Sequence, residues 1–338
     1  MPHINIALLG IGNVGRAFLL YIETSTPKSS IEIRIRAVAD STGGLLLTNE
    51  SALEPLISRK ESGRNLSEFA PGEVITDVRD FIRALPATGI SALVESLPTN
   101  IADGEPALAL ITAALEQGTN VVTVDKGPLV HGLERLEDAA RRSGARIGYS
   151  GTTGVSVPDE VAKDRVLEIR GILNGTTNYV LTEMQQHGRS FDDALAGAQA
   201  GGIAEPDPSL DSQGWDTAAK ILILAKSLMG AKSQLANVSR IGIGPETESL
   251  IRTAQESGRV VRLVGRARIW QGRVRVSVAP KLIGPDSPFY SVSGTSKAAV
   301  FRTKERGEVL AVARSGRDAI SQTIMDDIAQ IYSPKSGE

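Results

Sequence analysis

The chain has 338 residues, enough for two domains, with 41% hydrophobic and 22% charged residues and a formal net charge of -2. That balance leaves no electrostatic footprint for nucleic acid or an anionic membrane, and no stretch approaches the ~20 apolar residues of a membrane helix. With no cysteine, disulfides, zinc-thiolate sites and cysteine nucleophiles are excluded, and the opening MPHINIALLGIG carries no basic n-region of a signal peptide, so a cytoplasmic location fits.

Residues 4–9, INIALL, form a short apolar run that reads as a strand. GIGNVG (10–15) follows, then RAFLLYIE, which reads as a helix. In strand, G-x-G-x-x-G, helix order, Gly10 permits the tight turn, Gly12 lets backbone approach a pyrophosphate, and Gly15 lets helix and strand pack closely. Asn13 and Val14 complete the loop, and the helix start offers N–H groups to phosphates. The bland alternative is a glycine-rich turn that only packs. IEIRIRAVAD (31–40) alternates as a second strand and ends in Asp40, 25 residues after the last glycine. An acid there accepts hydrogen bonds from the adenosine ribose and repels a 2′-phosphate, which leans toward NAD over NADP. Otherwise Asp40 is a solvated loop aspartate.

GISALVES (89–96) reads as a strand ending at Ser96, and ALALITAALEQG (107–118) as a helix closed by Gly118. TNVVTVDKGPLV (119–130) supplies another strand with Lys126 just past its end. Ligands in open parallel sheets bind beyond the carboxyl ends of strands, which places Ser96 and Lys126 on the cofactor side. From position alone, a surface lysine is an equal reading of Lys126.

Beyond about residue 150 the βα alternation stops. GTTGVSVPDE (151–160) is a polar loop, and LEIRGILNGTTNYVLTEMQQHG (167–188) reads as strand, NGTTNY, helix. Gly175, Thr176 and Thr177 offer N–H and hydroxyl donors that suit a carboxylate, or simply cap the helix. PETESLIRTAQESG (245–258) reads as a helix; VVRLVGRARIWQGRVRVSVAP (260–280) is a hairpin turning at QG, and AVFRTKERGEVLAVAR (299–314) a second one. DAISQTIMDDIAQIY (318–332) is an amphipathic helix that can return to the first domain, and SPKSGE is a tail. The expected architecture is an α/β Rossmann nucleotide-binding domain, 1–135 completed by 312–338. Joined to it is an α+β substrate and dimerisation domain, 136–311, with a mostly antiparallel sheet.

The densest chemistry lies in GGIAEPDPSLDSQGWDTAAK (201–220), where Glu205, Asp207, Asp211 and Asp216 fall within twelve residues. Pro206 and Pro208 stiffen the turn, so the first three carboxylates are held. Asp216 and Lys220 share one face of a helix that is apolar nearly all round, and burying both is costly unless they are paired or used. Rigid carboxylates at a cleft need a metal ion or a substrate ammonium; with NGTTNY to take a carboxylate, an α-amino acid satisfies both. The alternative is a solvated acidic loop. His3, His131 and His187 sit in no motif, so the proton carrier of a nicotinamide-linked reaction should be a lysine.

GIGNVG (10–15), VVTVDK (121–126), GILNGTTNY (171–179) and AEPDPSLDSQGWDTAAK (204–220) together resemble homoserine dehydrogenases, and the resemblance extends to PFYSVSGTSKAAVF (288–301). It implies reversible oxidation of L-homoserine to L-aspartate 4-semialdehyde with NAD or NADP, on the route to threonine and methionine, by a homodimer. It implies that Lys220 moves the proton at the C4 oxygen, with Lys126 as second acid/base and Asp216 orienting substrate and lysine. Glu205 and Asp211 match carboxylates that hold the substrate ammonium, and Gly175 and Thr176 fall on the substrate-side loop. The sequence also departs from the family pattern. Ile203 stands for a tyrosine, Asp125 for an asparagine, and Ser150 for the glutamate of a metal loop. What remains of that loop is a monovalent cation held by backbone carbonyls at Thr153 and Val155. Of a C-terminal glycine loop near the nicotinamide, Gly316 is kept. No length follows residue 338 for a regulatory domain, so threonine feedback through one is not expected. Competing readings are a related dehydrogenase for another small hydroxy- or amino-acid, and a non-catalytic nucleotide or amino-acid sensor.

Overall fold

A computed structural model describes residues 3–24, 32–47, 53–66, 72–313 and 318–333. The chain forms two units, 1–152 with 316–338, and 153–315.

The first unit is a seven-stranded sheet. Its elements are β1 (His3–Leu9), α1 (Asn13–Thr24), β2 (Glu32–Asp40), β3 (Gly43–Leu47), α2 (Leu53–Glu61), β4 (Gly72–Ile75), α3 (Val78–Ala84), β5 (Ala92–Glu95), α4 (Ala107–Glu116), β6 (Asn120–Thr123), α5 (Lys126–Ser143) and β7 (Ile147–Gly148). The strand order is β4-β3-β2-β1-β5-β6-β7. β2, β1, β5, β6 and β7 run parallel, whereas β3 and β4 are antiparallel additions at one edge. From β1 the chain turns to β2 on one side and later to β5 on the other. The carboxyl ends of β1 and β5 therefore flank a topological switch point, where such sheets bind ligands.

β1 is apolar from Ile6 to Leu9 and β2 from Ala37 to Ala39, without alternation, because both faces of the sheet are covered there. Ile6, Leu8, Val38 and Val94 pack with Phe18 and Leu19 of α1 and with Ile324, Ile328 and Ile331 of the C-terminal helix Ala319–Tyr332. α5 runs through the expected boundary at 135 to Ser143, and β7 then pairs with β6, so this unit reaches Thr152. Lys126 opens a helix that the reading of 119–130 did not register. The cause is local: Asp125 caps it, accepting from Gly127 N at 2.9 Å, and Pro128 fits its first turn.

The second unit contains α6 (Asp159–Ala162), β8 (Val166–Ile172), α7 (Gly175–His187), α8 (Phe191–Ala200), α9 (Ser209–Ser212), α10 (Trp215–Met229), β9 (Ser239–Arg240), α11 (Thr247–Glu256), β10 (Val260–Trp270), β11 (Arg273–Ile283), β12 (Ala298–Thr303) and β13 (Gly307–Val312). Its sheet has the order β13-β12-β8-β10-β11-β9 and is antiparallel except for the short β11–β9 pair. The β10–β11 hairpin turns at Gln271 and Gly272, both at positive φ (49° and 73°), as a two-residue turn between right-twisted strands requires. α10 is buried from Thr217 to Ala219 and from Ile221 to Ala225, and Gly265 of β10 leaves room for it: a Cβ there would stand 3.1 Å from both Ile221 and Thr217.

Candidate active site

In the first unit the glycine loop is shaped by three different constraints. Gly10 has φ +98°, and a Cβ on it would meet the Ser96 backbone at 2.6 Å. A Cβ on Gly15 would meet Gly10 O at 2.1 Å, so α1 sits against the turn only because that residue is glycine. Gly12 faces open space, with nothing within 4 Å of an added Cβ. Open space at the middle glycine and tight contact at the other two is what a pyrophosphate lying over the loop needs, so these residues fit a dinucleotide. Asn13 begins α1 and accepts from Arg16 at 2.9 Å, while Val14 packs on the core. Ser96, at the end of β5, donates its hydroxyl to Gly10 O at 2.9 Å and so ties the two lips of the switch point together.

Asp40 ends β2 as expected but is not a free loop aspartate. Its Oδ1 accepts from Thr42 N (2.7 Å) and Thr42 Oγ1 (2.6 Å), and Oδ2 accepts from Lys60 Nζ at 2.6 Å. Burial opposes its charge, but Lys60 and Thr42 outweigh burial and hold the carboxyl below its usual range. Lys60 is a residue the sequence did not flag, because 20 positions separate it from Asp40. Nearby in the sheet, Glu95 and Asp125 are almost wholly buried. Burial, then the charge of Asp125, push Glu95 up to about 8, and burial raises Asp125. Ser150 donates its N–H to Asp327 of the C-terminal helix at 2.9 Å. Gly316 lies outside the described residues.

In the second unit the acidic stretch divides. Asp207 is spent locally: the Ser209 hydroxyl and then Ser209 N, which it accepts from at 3.0 Å, hold its carboxyl below the usual range. Glu205 is exposed and, among the described residues, its carboxylate has no partner. Asp211 and Asp216 instead converge on one side chain, Asn174. Its Nδ2 donates to Asp211 Oδ1 at 2.6 Å and to Asp216 Oδ2 at 2.9 Å. The same residue caps α7, its Oδ1 accepting from Thr177 N at 2.8 Å and Thr177 Oγ1 at 3.0 Å. One amide therefore fixes the helix start and holds two carboxylates together. Burial, then the charge of Asp216, raise the Asp211 carboxyl, with Thr176 and Asn174 opposing. Thr176 also donates to Ile203 O at 3.1 Å.

Lys220 lies one turn after Asp216 on α10 and is held at its tip: Nζ is 2.6 Å from Asp216 Oδ2 and 3.0 Å from Leu173 O. Both side chains are nearly enclosed, 14% and 12% exposed, so this is not a surface ion pair. An ammonium has three N–H bonds, and two are engaged here. A second lysine, Lys297, faces the same pair. Burial, then the charge of Lys220, lower its ammonium below the ordinary lysine range, with Asp216 opposing. Gly175, which starts α7, approaches the segment just before Lys297: a Cβ on it would lie 3.0 Å from Thr295 O. Thr153 donates its hydroxyl to Val155 O at 2.8 Å, and among the described residues no group of three or more acid or histidine side chains could hold a metal.

The sequence thus located Asp211, Asp216, Lys220, Gly175 and Thr176 where the structure brings them together, but it did not single out Asn174 or Lys297. Asn174 carried a signal, since Asn before a helix-opening Gly-Thr-Thr is a cap. Lys297 carried none: it precedes a strand 77 positions after Lys220.

Comparisons with known proteins place the chain in a family. The family model for homoserine dehydrogenase matches residues 156–329, and that for the homoserine dehydrogenase NAD binding domain matches residues 10–150. The homoserine dehydrogenase of Methanocaldococcus jannaschii is 33% identical over 97% of this chain and 98% of its own. The NAD(+)-dependent homoserine dehydrogenase of Pseudomonas canavaninivorans is 31% identical over 98% and 97%. Among solved structures, a homoserine dehydrogenase from Thiobacillus denitrificans superposes with a TM-score of 0.79 at 27% identity, over 98% of this chain and 73% of that one. A hyperthermophilic archaeal homoserine dehydrogenase in complex with NADPH superposes with 0.76 at 27% identity, over 98% and 99%. The chain therefore belongs to the homoserine dehydrogenase family, and its activity is the reversible NAD(P)-dependent oxidation of L-homoserine to L-aspartate 4-semialdehyde.

Proposed function

We propose that Lys220 is the acid/base of this oxidation. The observation that carries it is the fixed ammonium of Lys220, held by Asp216 and Leu173 O with one N–H left to point at a substrate oxygen. In the reducing direction this N–H protonates the C4 oxygen as hydride reaches C4. In the oxidising direction the hydroxyl proton returns to Nζ as hydride leaves C4. When bound, the oxidised nicotinamide accepts that hydride, so the protein supplies only positioning and the proton. Asp216 orients Lys220, and Asn174 orients Asp216. Asp211, joined by Glu205 once substrate is present, takes the substrate ammonium, and the N–H groups of Gly175 and Thr176 face the carboxylate. Lys126, at the start of α5, is the second acid/base.

The first unit holds the dinucleotide with Gly10, Gly12, Asn13, Val14, Gly15, Ser96 and Gly316. Asp40 favours NAD, although its pairing with Lys60 tempers the repulsion of a 2′-phosphate. A monovalent cation would rest on the carbonyls of Thr153 and Val155. The functional form is a cytoplasmic homodimer; the exposed Leu310 and Val312 on edge strand β13 are apolar groups that a second copy would cover.

The test is reduced-nicotinamide formation with L-homoserine and each cofactor, beside Lys220→Ala. We expect kcat in the variant to fall by about 10²–10⁴, the range for removal of a general acid/base, with NAD used better than NADP. A Lys220→Ala enzyme that keeps its kcat would transfer the role to Lys126. A preference for NADP would remove the argument from Asp40.

A further inference from the structure

The substrate of this site is a zwitterion, and the carboxylates already placed account for its ammonium only. Its α-carboxylate is the one charged group for which no cation has yet been assigned. We propose that Lys297 is that cation, a specificity-determining residue that binds the α-carboxylate of the substrate at the start of α7. The proposal rests on the reading of Lys220 and Asp211 as the two other poles of the substrate site.

Four observations place it. Lys297 immediately precedes β12 and its backbone is anchored on both sides: Ala313 N donates to Lys297 O at 3.0 Å, and Asn178 of α7 donates to Ser296 O at 3.0 Å. Its stem passes over Gly154, where a Cβ would lie 3.5 Å from Cδ and 3.6 Å from Nζ. The same point is 3.5 Å from Leu173 O, the carbonyl that holds Lys220. The Lys297 ammonium is therefore beside the backbone that leads into Asn174, Gly175 and Thr176. Lastly, among the described residues it donates to no acceptor and forms no ion pair, since Asp216 is already engaged by Lys220 and Asn174.

A partly buried ammonium without an anion is costly, and an incoming anion that completes the pair recovers that cost. The charges left over also suit an amino acid. With Asp216 and Lys220 committed to each other, Asp211 and, once substrate is present, Glu205 are left for its ammonium, and Lys297 for its carboxylate. A substrate with only one of the two charges would leave one of them unpaired, which is how a site rejects an analogue. Burial, then the charge of Lys220, lower the ammonium of free Lys297, and a bound carboxylate acts against that shift.

The experiment crosses two half-substrates with two variants. 4-Hydroxybutyrate keeps the carboxylate and hydroxyl of homoserine but lacks the ammonium, and 3-aminopropan-1-ol keeps the ammonium and hydroxyl but lacks the carboxylate. Binding is read by calorimetry on the full chain with NADH present, so that no hydride leaves the ligand. Lys297→Met should weaken 4-hydroxybutyrate about tenfold or more, the scale of a charge-assisted hydrogen bond, and change 3-aminopropan-1-ol less than about twofold. Asp211→Asn should do the reverse, and Lys297→Arg should retain most of the affinity for 4-hydroxybutyrate. In turnover, Lys297→Met should raise KM for L-homoserine far more than it lowers kcat. Equal weakening of both half-substrates by Lys297→Met would assign Lys297 a structural role and overturn the proposal. So would wild-type protein that binds 4-hydroxybutyrate no better than the variant. Failure of the wild type to turn over L-homoserine would count against the reaction assigned to Lys220 and leave the binding comparison to decide Lys297.

Discussion

Asn174 holds Asp211 and Asp216 within hydrogen-bonding reach of one amide nitrogen while its carbonyl oxygen caps α7. Replacing it by Ala removes two effects at once. The cap is worth about 1 kcal/mol of stability. The loss of Nδ2 leaves two carboxylates facing each other with only Lys220 between them, so Asp216 no longer has a single place to hold the Lys220 ammonium. We expect kcat/KM for L-homoserine to fall by about 10–100-fold in Asn174→Ala, a loss of about 1.4–2.7 kcal/mol of transition-state stabilisation. Asn174→Asp keeps the cap acceptor but brings a third negative charge, and should be the slower enzyme of the two. Steady-state kinetics beside a thermal melt separate the contributions. If Asn174→Ala melts lower yet keeps its kcat/KM, the residue is a cap and nothing more. At this scale the site was legible wherever charge and spacing coincide, as at Asp216 and Lys220. It was not legible where one polar side chain joins segments 37 and 42 positions apart, as Asn174 does.

At the scale of the element, the glycine loop and its helix make a sharper test of the nucleotide cradle than motif matching does. Gly12 and Gly15 look alike in the sequence but differ in surroundings. Gly15→Ala places a methyl 2.1 Å from Gly10 O, so α1 must move off β1; overpacking of this kind costs about 1–3 kcal/mol. Gly12→Ala meets nothing in the protein and intrudes only on the space a pyrophosphate would take. The expected outcome is a lowered Tm for Gly15→Ala. Gly12→Ala should keep the wild-type Tm yet bind NAD(P) about tenfold or more weakly, a loss of about 1.4 kcal/mol. Equal cofactor affinity in Gly12→Ala would show that the phosphates lie elsewhere. Elements with a strong local rule were readable: β10 and β11 from strict alternation around Gln271–Gly272, α4 from its apolar run and Gly118 stop. β3 was missed because GGLLL has no alternation, and its antiparallel pairing with β2 comes from a tight reversal after Asp40. α8 was missed because Phe191–Ala200 is mostly small residues, and its Ser190 cap is its clearest start signal.

The organisation of the whole first unit depends on pairings that no local window contains. The C-terminal helix places Ile324, Ile328 and Ile331 in one core with Phe18 and Leu19. GISALVES is likewise readable as a strand, but the complete burial of Glu95 follows only from β5 lying between β1 and β6. That burial has a thermodynamic consequence. Glu95 accepts from Leu97 N and Thr123 Oγ1, which favours its charge, but burial and the charge of Asp125 outweigh them and push it up to about 8 from an ordinary 4.5. Between these two values the folded chain keeps a proton that the unfolded chain has released. Folding therefore takes up a proton, and stability falls as pH rises through that window, by about 1.4 kcal/mol per pH unit for one whole proton. Burial raises Asp327 as well, so it acts in the same sense above the ordinary aspartate range, whereas Asp40, held low by Lys60 and Thr42, contributes stability that disappears only as pH falls below that range. Around neutrality Glu95 should dominate. Glu95→Gln keeps the size and the neutral state and has no proton to lose, so its urea midpoint should change little between pH 5.5 and 7.5, a span of roughly two units in which the wild type should lose stability steadily. Parallel slopes in the two proteins would mean that Glu95 is ionised in the fold and that its burial is compensated by contacts other than a retained proton.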